Sequence, residues 1–362
     1  MAVIIYIIVF GLLLSGIKKT KNNSWNYENM SYDQTKSFLG FCSVIIVFHH
    51  ISQDTCGPWL DSPYLRHGLE LFLSAGYPAV SVFFFCSGFG LYRSAKNKPD
   101  FFKHFLLVRL MPIIIPALLT TTVFVLFRMM QNRPIIINNP FSINSHETLH
   151  PYIWYIPCII LLYILFYVGF GRIKNDLIGI IVVALGTLGY EIFCYSLGYD
   201  TFWFNSIHMF LVGIIVSKYE KTVFESCINH YLIKLLCSLV WCVALWFVVE
   251  EIGTEERLIR CIFQILFTLG FVSFYYLASM KLRVGNMILS FLGRMTLELY
   301  LVHGIFVKLF GYYMEIGSQP LGLYIDNILL YSLVIFALSI PVSYCISILD
   351  KRISICLRKL AL

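Results

Sequence analysis

Apolar runs of roughly 17 to 25 residues, the length that spans a hydrocarbon core of about 30 Å, recur eleven times along this chain. They lie at approximately 1–17, 36–52, 69–91, 104–127, 152–170, 177–197, 202–217, 231–249, 258–279, 287–310 and 324–349. Alternating ten-residue strands of the barrel type are absent, and a backbone in lipid must satisfy its own hydrogen bonds, so the runs read as helices. The expected fold is therefore an all-α, polytopic integral membrane bundle of about eleven transmembrane helices. Composition agrees: 59% of the 362 residues are hydrophobic and 13% charged, against about one-quarter charged in soluble domains.

Cytoplasmic loops retain Lys and Arg, so alternate loops test both the count and the orientation. One set holds Lys18, Lys19, Lys21, Lys36, Arg93, Lys96, Lys98, Lys103, Arg172, Lys174, Lys218, Lys221, Lys281, Arg283, Lys351, Arg352, Arg358 and Lys359, eighteen in all. The intervening set holds four: Arg66, Arg128, Arg133 and Arg257. This bias places the N-terminus outside and the C-terminus in the cytoplasm. It also accounts for most of the +7 net charge, which speaks for a lipid bilayer as partner and against nucleic acid. The first run carries its positive charge after the apolar stretch, as an anchor does and a basic-headed signal peptide does not. The eleven cysteines include no C-x-x-C pair and read as small packing residues.

A charge inside a span costs at least about 2.5 kcal/mol on insertion scales, so intramembrane ionisable residues are functional candidates by default. At about 1.5 Å per residue, the adjacent His49 and His50 in KSFLGFCSVIIVFHHISQ lie near the outer face, as do His303, Glu191 and the aromatic pair Trp154 and Tyr155. Near the inner face gather Arg93, Lys96 and Lys98, with Arg109 and Arg294 a turn or two inside their spans. Histidine exchanges protons near neutral pH, as general acid–base chemistry requires. Arginine offers a permanent fork for phosphates or carboxylates. Together they suggest a phosphorylated donor arriving from the cytoplasm and a proton transfer near the outer side. The plain alternatives are that the twin histidines form an interfacial polar cap and that Arg294 and Glu298, four apart on one helix, neutralise one another. His146 and His150 are also four apart, but without a third ligand no metal is expected there.

Six blocks, LGFCSVIIVFHHIS, VSVFFFCSGFGLYRS, FFKHFLLVRLMPIIIP, PYIWYIPCIILLY, DTFWFNSIHMFLVGIIVSKYE and LGRMTLELYLVHGIF, resemble in order and spacing those of the membrane-bound acyltransferase family 3. Single blocks are weak; six in sequence from about Lys36 to the last span are specific. The resemblance implies ten core helices that take an acyl group, usually acetyl, from acetyl-coenzyme A and pass it to a hydroxyl of an extracytoplasmic or lipid-linked saccharide. The first run would be an added N-terminal helix. Family members carry a basic residue eleven positions before the key histidine. Here that position is Leu39 counted from His50 and Phe38 counted from His49, with Lys36 the nearest basic side chain. His50 is favoured because Leu39-Gly40 then falls on the family's basic-glycine pair. Arg109 with Pro112 matches an R-x-x-P element, and Ser87-Gly88-Phe89 a close-approach element.

The expected organisation is an anchor helix and loop over 1–35, the acyltransferase domain over 36–350 and a basic tail over 351–362, in the bacterial plasma membrane. The expected catalytic set is His50, with His49 as its rival, and Glu298, His303 or Glu191 to orient it. Tyr300 and His303, three apart, share a helix face, whereas Glu298, five before His303, points elsewhere. The donor, acetyl-coenzyme A, would be held by Arg109, Lys36, Arg93, Arg294 and Ser87. A thioester is already activated, so a positioned base and oxyanion donors suffice without a metal. The rival class is a proton-coupled transporter or flippase, which shares the polytopic architecture but for which no inverted repeat is found. No feature specifies the oligomeric state.

Overall fold

A computed structural model of the protein describes residues 2–21, 24–60, 65–130, 150, 152–173, 175–252, 256–311, 315–316, 319–320 and 323–361. The helices are α1 (Ala2–Leu14), α2 (Tyr32–Cys56), α3 (Gly76–Asn97), α4 (Phe105–Met130), α5 (Tyr155–Phe166), α6 (Asp176–Ser196), α7 (Met209–Lys218), α8 (Glu220–Ile228), α9 (Tyr231–Glu251), α10 (Arg257–Ser279), α11 (Met287–Leu292), α12 (Thr296–Gly311) and α13 (Ile328–Ala361). A π-helical segment, Tyr167–Arg172, prolongs α5. The described strands are two-residue pairs: Lys18–Lys19 with Leu282–Arg283, and Glu315–Ile316 with Gln319–Pro320.

Among the described residues, eight helices are long and apolar enough to cross a membrane, which confirms an integral membrane helical bundle but not the expected eleven spans. The three departures have separate causes. Run 1–17 forms a helix of 13 residues. Run 202–217 begins as a 3₁₀ turn, Thr201–Trp203, and becomes helical only at Met209. Its polar residues turn inward instead, with the Asn205 amide donating to Gln264 Oε1 at 3.1 Å. Irregular backbone is tolerated at such depth because it is enclosed by protein.

Run 287–310 is two helices, α11 and α12, broken at Gly293–Met295. Gly293 lies against α2 so closely that a Cβ there would come within 1.9 Å of the Lys36 carbonyl oxygen. Gly40 reciprocates, its own Cβ position lying 2.0 Å from the Leu289 oxygen. Paired glycines thus dock the break onto α2. A second pair joins α3 to α7: Cβ atoms on Gly88 and Gly213 would stand 2.0 Å from the Phe210 oxygen and 2.1 Å from the Phe85 oxygen. Small residues permit such approach where apolar side chains give helices no preference for each other over lipid.

The core lies between α2, α3, α5, α7, α10 and α12, whereas α9 presents Leu232, Ile233, Leu236, Val240 and Phe247 outward. Residues 351–361, within the basic tail, are the end of α13. Arg133, Lys174, His146 and most of the 128–151 loop lie outside the described residues.

Candidate active site

On α2, a period of 3.6 places Lys36, Ser43, Ile46, His50 and Asp54 along one stripe. On α12 the corresponding stripe is Thr296, Tyr300 and His303. The stripes meet. His50 Nδ1 lies 2.7 Å from His303 Nε2, and the ring planes are nearly parallel at 19°. His303 Nδ1 stands 2.9 Å from the Leu299 carbonyl oxygen.

A carbonyl only accepts, so His303 carries its proton on Nδ1 and, when neutral, offers a lone pair at Nε2. His50 must then donate from Nδ1, which leaves His50 Nε2 unprotonated. The chain of bonds assigns both tautomers. One turn beyond, Lys308 Nζ donates to Asp54 Oδ1 at 2.9 Å. Tyr152 packs edge-on to the His50 ring at 4.5 Å and is seated against Gly304, where a Cβ would overlap its ring.

His49 faces another way. Its Nδ1 donates to the Phe72 carbonyl at 3.0 Å, and its ring fills the space left by Gly76. His150 is buried between the Tyr152 amide, which donates to its Nδ1 at 3.2 Å, and the Thr120 hydroxyl, 3.3 Å from Nε2. Glu191 lies 4.0 Å from His208 and bonds neither to His50 nor to His303 among the described residues. His208 in turn bonds Thr268 at 3.2 Å.

Below the histidines, toward Lys36, is a cavity of about 150 Å³ lined by α2, α3, α4, α5 and α12; Ser43, Ile113, Tyr155, Tyr163, Thr296 and Tyr300 are among its walls. Ser87 bonds the Tyr163 hydroxyl at 2.9 Å. Arg109, one turn before Ile113 on α4, bears electrostatically on Tyr163 and packs over the Phe101 ring at 5.2 Å. It makes no ion pair among the described residues.

The other expected donor contacts are dispersed. Arg93 is engaged by the Met30 carbonyl at 3.2 Å and by Glu220 at 3.5 Å. Arg294 is exposed in the turn between α11 and α12, and because the helix breaks there it forms no ion pair with the buried Glu298. The charges that bear on Glu298 are Lys36 on α2 and Asp350 and Lys351 on α13, in line with its expected direction away from His303.

A family model described as an acyltransferase domain matches residues 37–348. The chain belongs to this family, acyltransferase family 3. Searches against curated proteins and against solved structures gave no significant match. In this membrane acyltransferase the matched region contains every residue of the His50–His303 pair, the cavity and Arg109.

Sequence reading passed over Asp54, Lys308 and Tyr152. The first two carry a signal that was available, an acid and a base each one turn or so beyond a candidate histidine. Tyr152 carries none, because an aromatic at a span end is ordinarily an interfacial anchor.

Proposed function

We propose that the protein transfers an acetyl group from cytoplasmic acetyl-coenzyme A to a hydroxyl of an extracytoplasmic or lipid-linked saccharide, with His50 as general base. The observation that carries this reading is the bond chain from His50 through His303 to the Leu299 carbonyl. It holds His50 Nε2 as the acceptor lone pair that must take the hydroxyl proton. His303 and Leu299 play the part that an orienting carboxylate plays in a hydrolase triad: they select the tautomer and steady the imidazolium as it forms.

The donor would enter from the basic end. Arg109, without a carboxylate partner among the described residues, suits a diphosphate; Lys36 and Ser87, the latter bonded to the cavity residue Tyr163, would assist it, and the thioester would occupy the cavity. A cavity of about 150 Å³ is of benzene-binding size, which favours a short acyl group. The charge asymmetry of the loops supports an orientation with α2 rising from the cytoplasm and α13 returning to it, in the bacterial plasma membrane. His49, Glu191, Glu298, Arg93 and Arg294 are then left to structural or electrostatic work.

The test is transfer of label from radiolabelled acetyl-coenzyme A in membranes containing equal amounts of wild type, His50→Gln or Arg109→Gln protein. Label should enter a carbohydrate fraction with wild type. His50→Gln should lower the rate by about 10²–10⁴-fold, the usual weight of general base catalysis. Arg109→Gln should raise the KM for the donor. Intact thioester with the wild type, host glycans supplied, would refute the reading and direct attention to proton-coupled transport.

A further inference from the structure

Resting on the reading of His50 as base, the cavity wall holds a second group suited to the chemistry. Tyr300 is 8% exposed, and its hydroxyl is buried without a hydrogen-bond partner among the described residues. Buried hydroxyls in folded proteins are almost always bonded, and an orphan calls for an explanation. This one lies on α12 one turn below His303, lines the cavity, and has Tyr155 and Cys158 of α5 as its electrostatic neighbours. The Tyr300 ring centroid lies 6.2 Å from that of His50 and 5.8 Å from that of Tyr155. The two rings therefore stand at adjacent levels of the two stripes.

Two other polar groups in the wall are already committed: Ser43 donates to the Gly40 carbonyl at 2.7 Å and Tyr163 is bonded to Ser87. A donor left unpaired at rest is one that can engage a charge appearing only during reaction, which is where hydrogen bonding accelerates chemistry most.

We propose that Tyr300 is a catalytic residue whose hydroxyl donates a hydrogen bond to the oxyanion of the tetrahedral intermediate. His50 Nε2 takes the proton of the acceptor hydroxyl as its oxygen bonds to the thioester carbonyl carbon. The carbonyl π pair moves onto oxygen, and that oxyanion accepts from Tyr300 without receiving its proton. Collapse re-forms the carbonyl, breaks the carbon–sulfur bond and expels the thiolate, which recovers the proton from His50. The ester and the free thiol are the products, and Tyr300 is unchanged.

The experiment compares wild type, Tyr300→Phe and His50→Gln as full-length protein in native membranes, with kcat and KM for the acyl-thioester donor measured across pH. Phenylalanine keeps the ring packing, and thermal melts in detergent verify that the fold is retained. Loss of one oxyanion donor should lower kcat by about 10²–10³-fold, leave the donor KM unchanged and leave the shape of the pH profile as in wild type. A kcat within about twofold of wild type, or a loss expressed only in KM, would overturn the assignment to Tyr300. If at the same time His50→Gln remained inactive, the base reading would survive alone. A His50→Gln variant as active as wild type would overturn the base and, with it, the step in which Tyr300 acts.

Discussion

His49 and His50 are consecutive in the chain and about 100° apart around α2, and that rotation separates their environments. His49 bonds the backbone carbonyl of Phe72, just before α3; His50 bonds another histidine beside the cavity. Replacing His49 by Gln should therefore cost about 1 kcal/mol of stability for one lost hydrogen bond while transfer per folded molecule stays near the wild-type rate. Melting temperature and labelled-acetyl transfer measured on the same preparation check this, and inactivity at normal stability would contradict it. His303→Phe keeps an aromatic ring but removes the acceptor that fixes the His50 tautomer. It should lower kcat about 10²-fold, the low end for general base catalysis, without changing the donor KM; an unchanged kcat would mean that His303 does not orient His50.

Two helix contacts here, of α2 with the α11–α12 break and of α3 with α7, are set by glycine pairs. Gly88→Ala would press a methyl group against the Phe210 carbonyl oxygen, 2.0 Å from the ideal Cβ position, forcing α3 and α7 apart. Overpacking of this kind destabilises by about 1–3 kcal/mol, and thermal unfolding in detergent measures it. Gly90, two residues on, has open space around its Cβ position, so Gly90→Ala should be neutral or stabilising by up to about 1 kcal/mol through helix propensity. Equal effects of the two substitutions would show that the close α3–α7 crossing does not limit stability. The broken run 287–310 belongs to the same scale. Hydropathy across it is continuous, and the break comes from Gly293 seated on the Lys36 carbonyl, a contact between residues more than 250 positions apart that no local pattern contains.

At the level of the whole molecule, the loops rich in Lys and Arg fall at the Lys36 end of α2, with the histidines toward its other end. If the Lys36 end is cytoplasmic, Lys98→Cys should react with a membrane-impermeant maleimide only after cells are permeabilised, and Asp326→Cys should react on intact cells. Serine at the exposed Cys237, Cys345 and Cys356 removes their background. The opposite labelling pattern would reverse the orientation and put the donor entrance on the wrong side for a cytoplasmic thioester.

The sequence by itself determined that the chain is an integral membrane helical bundle, because span length and the absence of charge are properties of single segments measured against the thickness of a bilayer. Ordered blocks also identified the acyltransferase family, and helical periodicity put Tyr300 and His303 on one face. The tertiary structure alone decided which face of α2 meets α12, and hence that His50 and not His49 is bonded to His303. It alone revealed that Arg294 and Glu298 are parted by a helix break, that Glu191 sits with His208, and that the Tyr300 hydroxyl has no hydrogen-bond partner among the described residues. Each of these depends on how one helix is rotated against a neighbour distant in sequence, and that rotation is set by packing across the bundle, to which a hydropathy pattern along one chain is blind.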